Sequence, residues 1–206
     1  MAANYNNAAW FYDSLSRVVY GKALVQAQSY LLPYIPPQAS VLIVGGGTGW
    51  ILEQIALVHP SGLQITYVEI SSNMIELSRK RNVGDNLVTF ITDAIENITT
   101  LSDFDVIITP FLFDNFGSST LIIVFEHLHL LLKPKGLWFN TDFQLTGKWW
   151  QNVLLKSMLL FFRILCGVES TRLPDIEQQF TRHAYTTLAA KTFFGDFILS
   201  SAYQKP

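Results

Sequence analysis

The chain has 206 residues, of which 50% are hydrophobic and 15% are charged, and its formal net charge is -2. A chain of this length and composition can bury a core that offsets the conformational entropy lost on folding, which predicts one folded domain rather than a disordered protein. The charge balance lacks the basic footprint of nucleic-acid-binding proteins, so we expect no nucleic-acid partner.

The cysteine and histidine content excludes an internal disulfide and offers no metal-binding pattern. Cys166 is the single cysteine, and the four histidines are scattered along the chain, so we predict no metal site and a cytoplasmic setting. The first residues have neither the basic nor the apolar segment of a signal peptide. The apolar runs Leu121–Leu132 and Val153–Val168 are too short or too interrupted by charge to span a membrane.

The first 37 residues predict a helical cap, and residues 38–206 predict the α/β core of a single domain over residues 1–206. The stretch Asn4–Leu32 is rich in aromatic residues and compatible with helix. Pro33, Pro36 and Pro37 then end it, because proline removes a backbone donor and restricts the preceding residue.

Beyond Pro37, strand-like and helix-like segments alternate. The predicted strands are Val41–Val44, Gln64–Ile70, Leu87–Thr92, Phe104–Thr109 and Leu137–Phe143. The predicted helices between them are Gly49–Val58, Met74–Asn82 and Ser118–Leu132, and Lys133–Gly136 reads as a turn. Such alternation predicts a parallel sheet with helical crossovers, the doubly wound α/β class.

The C-terminal part departs from this alternation. Helices are predicted at Gly147–Cys166 and Pro174–Ala184. Two β-prone runs, Leu188–Phe194 and Phe197–Tyr203, then flank Gly195-Asp196 and predict a hairpin. Together these segments predict a mostly parallel seven-stranded sheet of the Rossmann-like type, with a C-terminal antiparallel hairpin and N-terminal helices.

The first strand leads directly into Gly45-Gly46-Gly47-Thr48-Gly49, here called the glycine loop. Glycines are needed where a backbone approaches a ligand closely or adopts positive φ, and open α/β sheets bind ligands at the carboxyl ends of their strands. A tight turn without a ligand is the alternative. The dinucleotide pattern would require glycine at Trp50 or Leu52, and no lysine follows as in a P-loop, so NAD and FAD are disfavoured.

Two carboxylates follow the next strands. Glu69 lies twenty residues beyond Gly49 and could accept hydrogen bonds from both hydroxyls of a ribose. Asp93 follows the third strand and could accept the exocyclic amine of adenine. The alternatives are a solvated glutamate at a strand end and an aspartate that caps a helix.

These features together resemble the class I S-adenosylmethionine-dependent methyltransferases, from Val41 to the C-terminus. Leu132-Lys133-Pro134-Lys135-Gly136 before the fifth strand adds to the resemblance. The resemblance implies S-adenosylmethionine as the cofactor, with its methionine part at the glycine loop, its ribose at Glu69 and its adenine at Met74 and Asp93. The implied cofactor-binding residues are Gly45, Gly46, Gly47, Thr48, Gly49, Glu69, Ile70, Met74, Asp93, Ala94 and Thr109. The family usually has an acid two residues before the first glycine, where this chain has Ile43.

A shorter resemblance concerns the N-terminus. Phe11–Arg17 followed by Tyr20-Gly21 is similar to the segment that leads the quinone-biosynthesis-type C-methyltransferases. That resemblance implies N-terminal helices that cover the cofactor and shape the acceptor pocket. An aromatic-rich packing helix is the alternative.

The acceptor site is expected after the fourth strand, at Thr109–Phe116. Its phenylalanines suit an apolar or aromatic acceptor, and the candidate pocket residues are Tyr12, Tyr20, Phe111, Phe113 and Trp149. Asp114 is the ionisable group of this stretch and a candidate general base. Turn hydrogen bonds are its alternative role.

The long helix Gly147–Cys166 is apolar around most of its circumference. Asn152, Lys156 and Arg163 form one narrow polar stripe on it. A buried helix, a cap over the acceptor pocket, a homodimer surface and a peripheral membrane contact are all compatible with this pattern.

The leading hypothesis is an enzyme that transfers a methyl group from S-adenosylmethionine to a small, apolar or aromatic acceptor. The alternative is a non-catalytic protein of the same fold that binds S-adenosylmethionine or a partner. Ile43 and the lack of an obvious base motivate that alternative.

Overall fold

The structure is a computed structural model that describes residues 18–99, 103–166 and 173–206. A seven-stranded sheet with the order β3-β2-β1-β4-β5-β7-β6 forms its centre. The strands are β1 Ser40–Val44, β2 Ser61–Val68, β3 Asp85–Ile91, β4 Phe104–Pro110, β5 Leu132–Phe143, β6 Thr186–Phe193 and β7 Ile198–Gln204. The first five strands pair in parallel, and β7 runs antiparallel to both β5 and β6. The predicted mostly parallel sheet with a C-terminal antiparallel hairpin is confirmed.

Six α-helices and three 3-10 helices are described around this sheet. The α-helices are α1 Ala23–Ser29, α2 Trp50–Val58, α3 Ser72–Ser78, α4 Ser118–Leu131, α5 Trp149–Cys166 and α6 Ile176–Arg182. The 3-10 helices are Leu32–Tyr34, Ile95–Asn97 and Phe113–Asn115. Within the described ranges, no helix combines the length and hydropathy needed to cross a membrane.

Strand β1 is buried on both faces and thereby joins two apolar cores. Val41 and Ile43 pack in one core with Ile55 of α2, whereas Leu42 and Val44 pack in the other with residues of α4. Successive side chains of a strand point to opposite faces, so a continuous apolar strand needs a helix on each side. The carboxyl end of β1 consequently opens between these two helical layers.

A third apolar cluster covers one end of the sheet. It joins α1 and α5 to the hairpin through buried side chains that include Ala27, Leu155, Leu159 and Phe197. The described part of the predicted N-terminal cap, α1, thus packs on the C-terminal hairpin and α5. Residues 1–17 of that cap, including Tyr12 and Phe11–Arg17, lie outside the described residues.

The predicted turn at Lys133–Gly136 was wrong, since these residues belong to β5. Phe104 of β4 pairs with Leu132, and Val106 pairs with Leu137, so three extra residues are accommodated in β5 between these two pairings. Lys135 has φ 63 within this irregular stretch. The turn-forming residues therefore make a bulge inside the strand instead of preceding it.

Gly49 allows α2 and α3 to approach closely. It caps α2 with φ 77, and a Cβ added there would overlap the Cβ of Ser78 at the end of α3. We expect Gly49→Ala to lower the free energy of unfolding by about 2 kcal/mol, because left-handed backbone and an overpacked contact both carry a cost. Urea unfolding monitored by tryptophan fluorescence measures this difference.

Gly117 provides the matched control. It caps α4 with φ -72, and an added Cβ would have no neighbour within 4 Å. Gly117→Ala should cost less than about 1 kcal/mol. Equal losses in the two variants would contradict the close approach of α2 and α3.

Candidate active site

The glycine loop leaves β1 at the carboxyl edge of the sheet and is held by β2. The Gly45 N–H donates to the Val68 carbonyl at 2.9 Å. A Cβ on Gly46 would lie 2.5 Å from the Tyr67 hydroxyl oxygen, and that hydroxyl donates to the Gly47 carbonyl at 2.9 Å. A side chain at position 46 therefore does not fit, because the loop backbone lies directly on the Tyr67 ring.

The other side of the loop is held by Arg81, which follows α3. Arg81 Nε donates to the Thr48 carbonyl at 2.9 Å, and its Nη2 lies 3.3 Å from Thr48 Oγ1. Arg81 also pairs with Glu53 at 3.4 Å. The Thr48 side chain is buried and faces Arg81, so any contact of Thr48 with a ligand would be through its backbone.

Glu69 follows the end of β2 and ties that strand to the glycine loop. Its carboxylate accepts the Gly47 N–H at 3.1 Å through Oε2 and the Ser71 N–H at 2.9 Å through Oε1. Burial raises the pKa of Glu69, and the backbone donors of Ser71 and Gly47 oppose that rise. The Ile70 N–H is a third backbone donor to this carboxylate, so about one of its roughly four acceptor positions remains for a ligand donor.

Asp93 follows β3 on the same edge of the sheet. It is exposed, and its Oδ1 accepts the Ala94 N–H at 2.7 Å and Asn97 Nδ2 at 2.8 Å. Asp93 thus holds the start of the 3-10 helix Ile95–Asn97, which is the alternative role that the sequence left open. Both bonds use Oδ1, so the other carboxylate oxygen can still accept a ligand donor.

Ile70 and Met74 flank Glu69 along the chain. Ile70 is 38% exposed beyond the end of β2, whereas Met74 is buried in α3. The Met74 sulfur lies 3.8 Å from the position of a Cβ on Gly47, and Ser71 Oγ accepts the Met74 N–H at 3.2 Å. Met74 therefore lies beside the glycine loop.

Two buried carboxylates meet where β4 and β5 end. Asp142 accepts the Phe113 N–H at 3.1 Å and the Phe143 N–H at 2.8 Å, and the Asp114 N–H also donates to it. The Asp114 carboxylate accepts Asn115 Nδ2 at 2.7 Å. Asp114 and Asp142, here called the acidic pair, are 8% and 5% exposed.

The acidic pair titrates as one unit. Burial raises the pKa of Asp142 to about 7, against three backbone donors that stabilise its charge. Burial and the charge of Asp142 raise the pKa of Asp114 well above its usual value. Because Asp142 has the better donors for an anion, Asp142 is the first of the two to lose its proton as the pH rises, and Asp114 keeps its proton to higher pH. The isolated Asp114 base considered from the sequence is thus replaced by a coupled pair.

Aromatic side chains line the surroundings of the acidic pair. The rings of Tyr20 and Phe111 lie 5.6 Å and 4.9 Å from the Phe143 ring, measured between centroids. Burial raises the pKa of the Tyr20 hydroxyl, and Asp114, once it has ionised at higher pH, adds to that rise. Tyr20 and Phe111 were predicted pocket residues, and the structure brings them together here with Phe143.

Three other predicted site residues lie elsewhere. Phe113 is fully buried in the core beside Trp138, and Trp149 is 78% exposed at the start of α5. The Thr109 hydroxyl is buried between β4 and β5, where it donates to Asn140 Oδ1 at 2.9 Å and accepts Trp138 Nε1 at 3.0 Å. The Phe113 and Trp149 side chains are therefore not part of the aromatic surroundings of the acidic pair, because the 3-10 helix Phe113–Asn115 holds Phe113 in the core and the first turn of α5 leaves Trp149 exposed. The Thr109 hydroxyl, predicted to bind the cofactor, makes its hydrogen bonds within the sheet.

Asp142 was missed from the sequence. A detectable signal existed, since Asn140-Thr141-Asp142 places three polar residues at the end of an apolar strand.

Among the described residues, no group of three or more His, Cys, Asp or Glu side chains is arranged to hold a metal ion.

Comparisons with known proteins place this geometry in context. Residues 41–136 match a family described as a methyltransferase domain. A malonyl-[acyl-carrier protein] O-methyltransferase from Priestia megaterium is 31% identical over 138 residues, which are 66% of this chain and 49% of that protein. A non-reducing polyketide synthase from Emericella nidulans is 28% identical over 55% of this chain and 5% of its own length. The chain thus spans about half or much less of the length of these relatives.

Solved structures extend the likeness to the whole fold. The 1,6-didemethyltoxoflavin-N1-methyltransferase of Burkholderia thailandensis, with bound 1,6-didemethyltoxoflavin and S-adenosylhomocysteine, has a TM-score of 0.67 at 14% identity. The similarity covers 96% of this chain and 84% of that one. A TehB-like methyltransferase from Corynebacterium glutamicum has a TM-score of 0.63 at 14% identity and covers 97% of both chains. At this identity the likeness establishes the fold.

Proposed function

We propose that this chain, which carries a class I S-adenosylmethionine-dependent methyltransferase domain, transfers the methyl group of S-adenosylmethionine to a small, apolar or aromatic acceptor. The proposal rests on Glu69, whose buried carboxylate accepts the Gly47 N–H of the glycine loop and keeps an acceptor position for a ribose hydroxyl. We further propose a cytoplasmic setting and a small-molecule partner rather than a nucleic acid.

The residues at this edge of the sheet fit the proposed cofactor. Glycines without side chains suit close backbone approach to its methionine part, Glu69 suits the ribose hydroxyls, and Asp93 suits the adenine amine. When bound, S-adenosylmethionine supplies an activated methyl group on a sulfonium. The protein then has to hold the acceptor in line and exclude water.

The surroundings of the acidic pair suit the acceptor. Tyr20, Phe111 and Phe143 offer aromatic surface, and Asp142 beside it becomes an anion as the pH rises through about 7. This combination favours an acceptor with an apolar body and one hydrogen-bond donor. We infer that the donor group of the acceptor hydrogen-bonds to the acidic pair.

Calorimetry with S-adenosylhomocysteine tests the cofactor part of this proposal. We expect saturable one-to-one binding to the full chain. A well-folded sample that shows no binding would overturn the proposal.

Transfer of the labelled methyl group from S-adenosylmethionine tests turnover. The acceptor panel contains phenols, quinols, amines and carboxylic acids, together with malonyl-acyl carrier protein because a relative bears that name. Transfer to any member supports the enzyme. Binding of S-adenosylhomocysteine without transfer to any acceptor favours the non-catalytic alternative. That alternative is motivated by Ile43, a fully buried apolar residue at the position where the family usually has an acid.

A further inference from the structure

The outward side of α5 carries two parallel rows of side chains. One row is apolar and 57–78% exposed, and the other is polar and exposed; residues of each row are spaced four and seven positions apart. The apolar row is Trp149, Val153 and Leu160. The polar row is Asn152, Lys156 and Arg163, each three positions after the corresponding apolar residue. At 3.6 residues per turn each row covers roughly 40° of the helix circumference, and the two rows adjoin. These six residues are here called the outer face of α5.

Among the described residues of α5 and of the segment 18–29, the charged side chains have one sign. Neither α5 nor residues 18–29, which pack beside it, contain an aspartate or a glutamate. Lys22, Lys156 and Arg163 are all exposed. The neighbouring Asp196 is paired with Lys148 at 2.8 Å. The outer face of α5 is therefore both apolar and positively charged.

The residues of the outer face of α5 are exposed, and other residues of the helix pack on the domain. Next to the polar row, α5 is anchored by Leu155 and Leu159, which are buried in the cluster with Tyr20 and Phe197. The first turn of α5 also borders an open apolar groove of about 500 Å³, lined by Val19, Trp150, Leu154, Phe194 and Gly195. A rigidly held helix thus presents a wide apolar surface edged by cations.

We propose that the outer face of α5 docks on an anionic lipid surface. Trp149, Val153 and Leu160 would enter the headgroup region, where tryptophan and apolar side chains are favourable. Lys156 and Arg163 would contact lipid phosphates. A second copy of this chain suits the surface less well, since a two-fold contact would bring the same cations together without an acid to pair with them.

Vesicle flotation with the full chain tests this proposal. We expect binding to vesicles of phosphatidylcholine mixed with phosphatidylserine, weak binding to phosphatidylcholine alone, and release at high salt. Lys156→Gln combined with Arg163→Gln should weaken binding on the order of 20-fold, since each cation near the surface contributes about one factor of five. Equal binding to both kinds of vesicle would overturn the proposal.

A pair of matched aspartate variants isolates the apolar row. Val153→Asp with Leu160→Asp should reduce vesicle binding at least roughly tenfold, because charge is costly in the interface. Leu57→Asp with Leu130→Asp introduces the same charges at leucines that are 78% and 73% exposed on α2 and α4, and should keep binding. Binding of S-adenosylhomocysteine and circular dichroism check that each variant is folded.

Two outcomes contradict the lipid contact. Equal loss in the two aspartate variants would indicate a general effect of net charge instead of the outer face of α5. A concentration-dependent dimer in light scattering that Val153→Asp with Leu160→Asp abolishes would assign the surface to a second copy.

Discussion

Replacing Glu69 with alanine should weaken the binding of S-adenosylhomocysteine roughly 100-fold or more. The proposed ribose contact is a hydrogen bond to a buried carboxylate, and a bond to a charged group contributes about 1.5–3 kcal/mol. The same carboxylate also holds the Gly47 N–H of the glycine loop at 3.1 Å. Isothermal titration calorimetry with wild type and variant measures the ratio of the two dissociation constants.

Glu76, on the short helix α3 that follows Glu69 in the chain, offers a matched control. Its side chain is exposed on α3, so Glu76→Ala removes an equal charge without removing a buried acceptor. We expect the affinity of Glu76→Ala to lie within about twofold of wild type. An unchanged affinity in Glu69→Ala would show that no ribose meets this carboxylate.

Glu69→Gln separates the two tasks of the residue. Glutamine keeps one acceptor oxygen, but its amide nitrogen is a donor and cannot accept a bond from Gly47 or Ser71. The affinity of Glu69→Gln should therefore lie between those of wild type and Glu69→Ala. Thermal unfolding with and without ligand shows how much of the loss comes from the glycine loop itself.

The glycine loop and Glu69 could be predicted because their relation is local in the chain. A buried strand followed by glycines predicts a loop at a strand end, and the next strand of a parallel sheet ends at the same edge. The pairing of Val44 with Val68 brings these two ends side by side. Each step needs a pattern within one strand–helix–strand unit, and the sequence carries that pattern.

The acidic pair could not be predicted in the same way. Asp114 and Asp142 are far apart in the chain and meet because β4 and β5 pair with Thr109 opposite Asn140 and Pro110 opposite Thr141. That register includes the bulge before Leu137, in a stretch that predicted a turn. A pattern of residue types does not specify such an offset, so Asp142 remained unassigned.

Aromatic residues show a second limit of prediction from sequence. Phe111 and Phe113 are two positions apart, yet Phe111 contacts Phe143 whereas Phe113 is buried against Trp138. Phe111 has φ 52, and the chain then enters the 3-10 helix Phe113–Asn115. Apolar character alone therefore predicts burial without distinguishing a core from a pocket.

Asp114→Asn should stabilise the protein at pH 8 and stabilise it less at pH 5. Burial raises the pKa of both carboxyl groups of the acidic pair, that of Asp142 to about 7. Between the usual pKa near 4 and these raised values, the folded protein binds more protons than the unfolded chain. The free energy of unfolding contributed by the acidic pair is therefore full below about pH 4 and falls as the pH rises from there through about 7.

An asparagine at position 114 mimics the protonated carboxyl and removes the repulsion within the acidic pair. We expect a gain of roughly 2 kcal/mol at pH 8, because one unit of pKa shift corresponds to about 1.4 kcal/mol. Urea unfolding of wild type and Asp114→Asn from pH 5 to pH 8 measures the difference. The other carboxyl groups are present in both proteins, so their contributions cancel from the difference in the free energy of unfolding.

Asp142→Asn should act in the opposite direction, although it removes the same charge from the same pair. Asp142 accepts the backbone N–H groups of Phe113, Asp114 and Phe143, and an asparagine can replace only part of that acceptor capacity. A buried donor left without a partner costs about 1–3 kcal/mol, so this variant should lose stability at pH 5, where repulsion within the pair is absent. A higher free energy of unfolding in Asp114→Asn and a lower one in Asp142→Asn would locate the negative charge on Asp142. An equal increase in both variants would contradict that assignment.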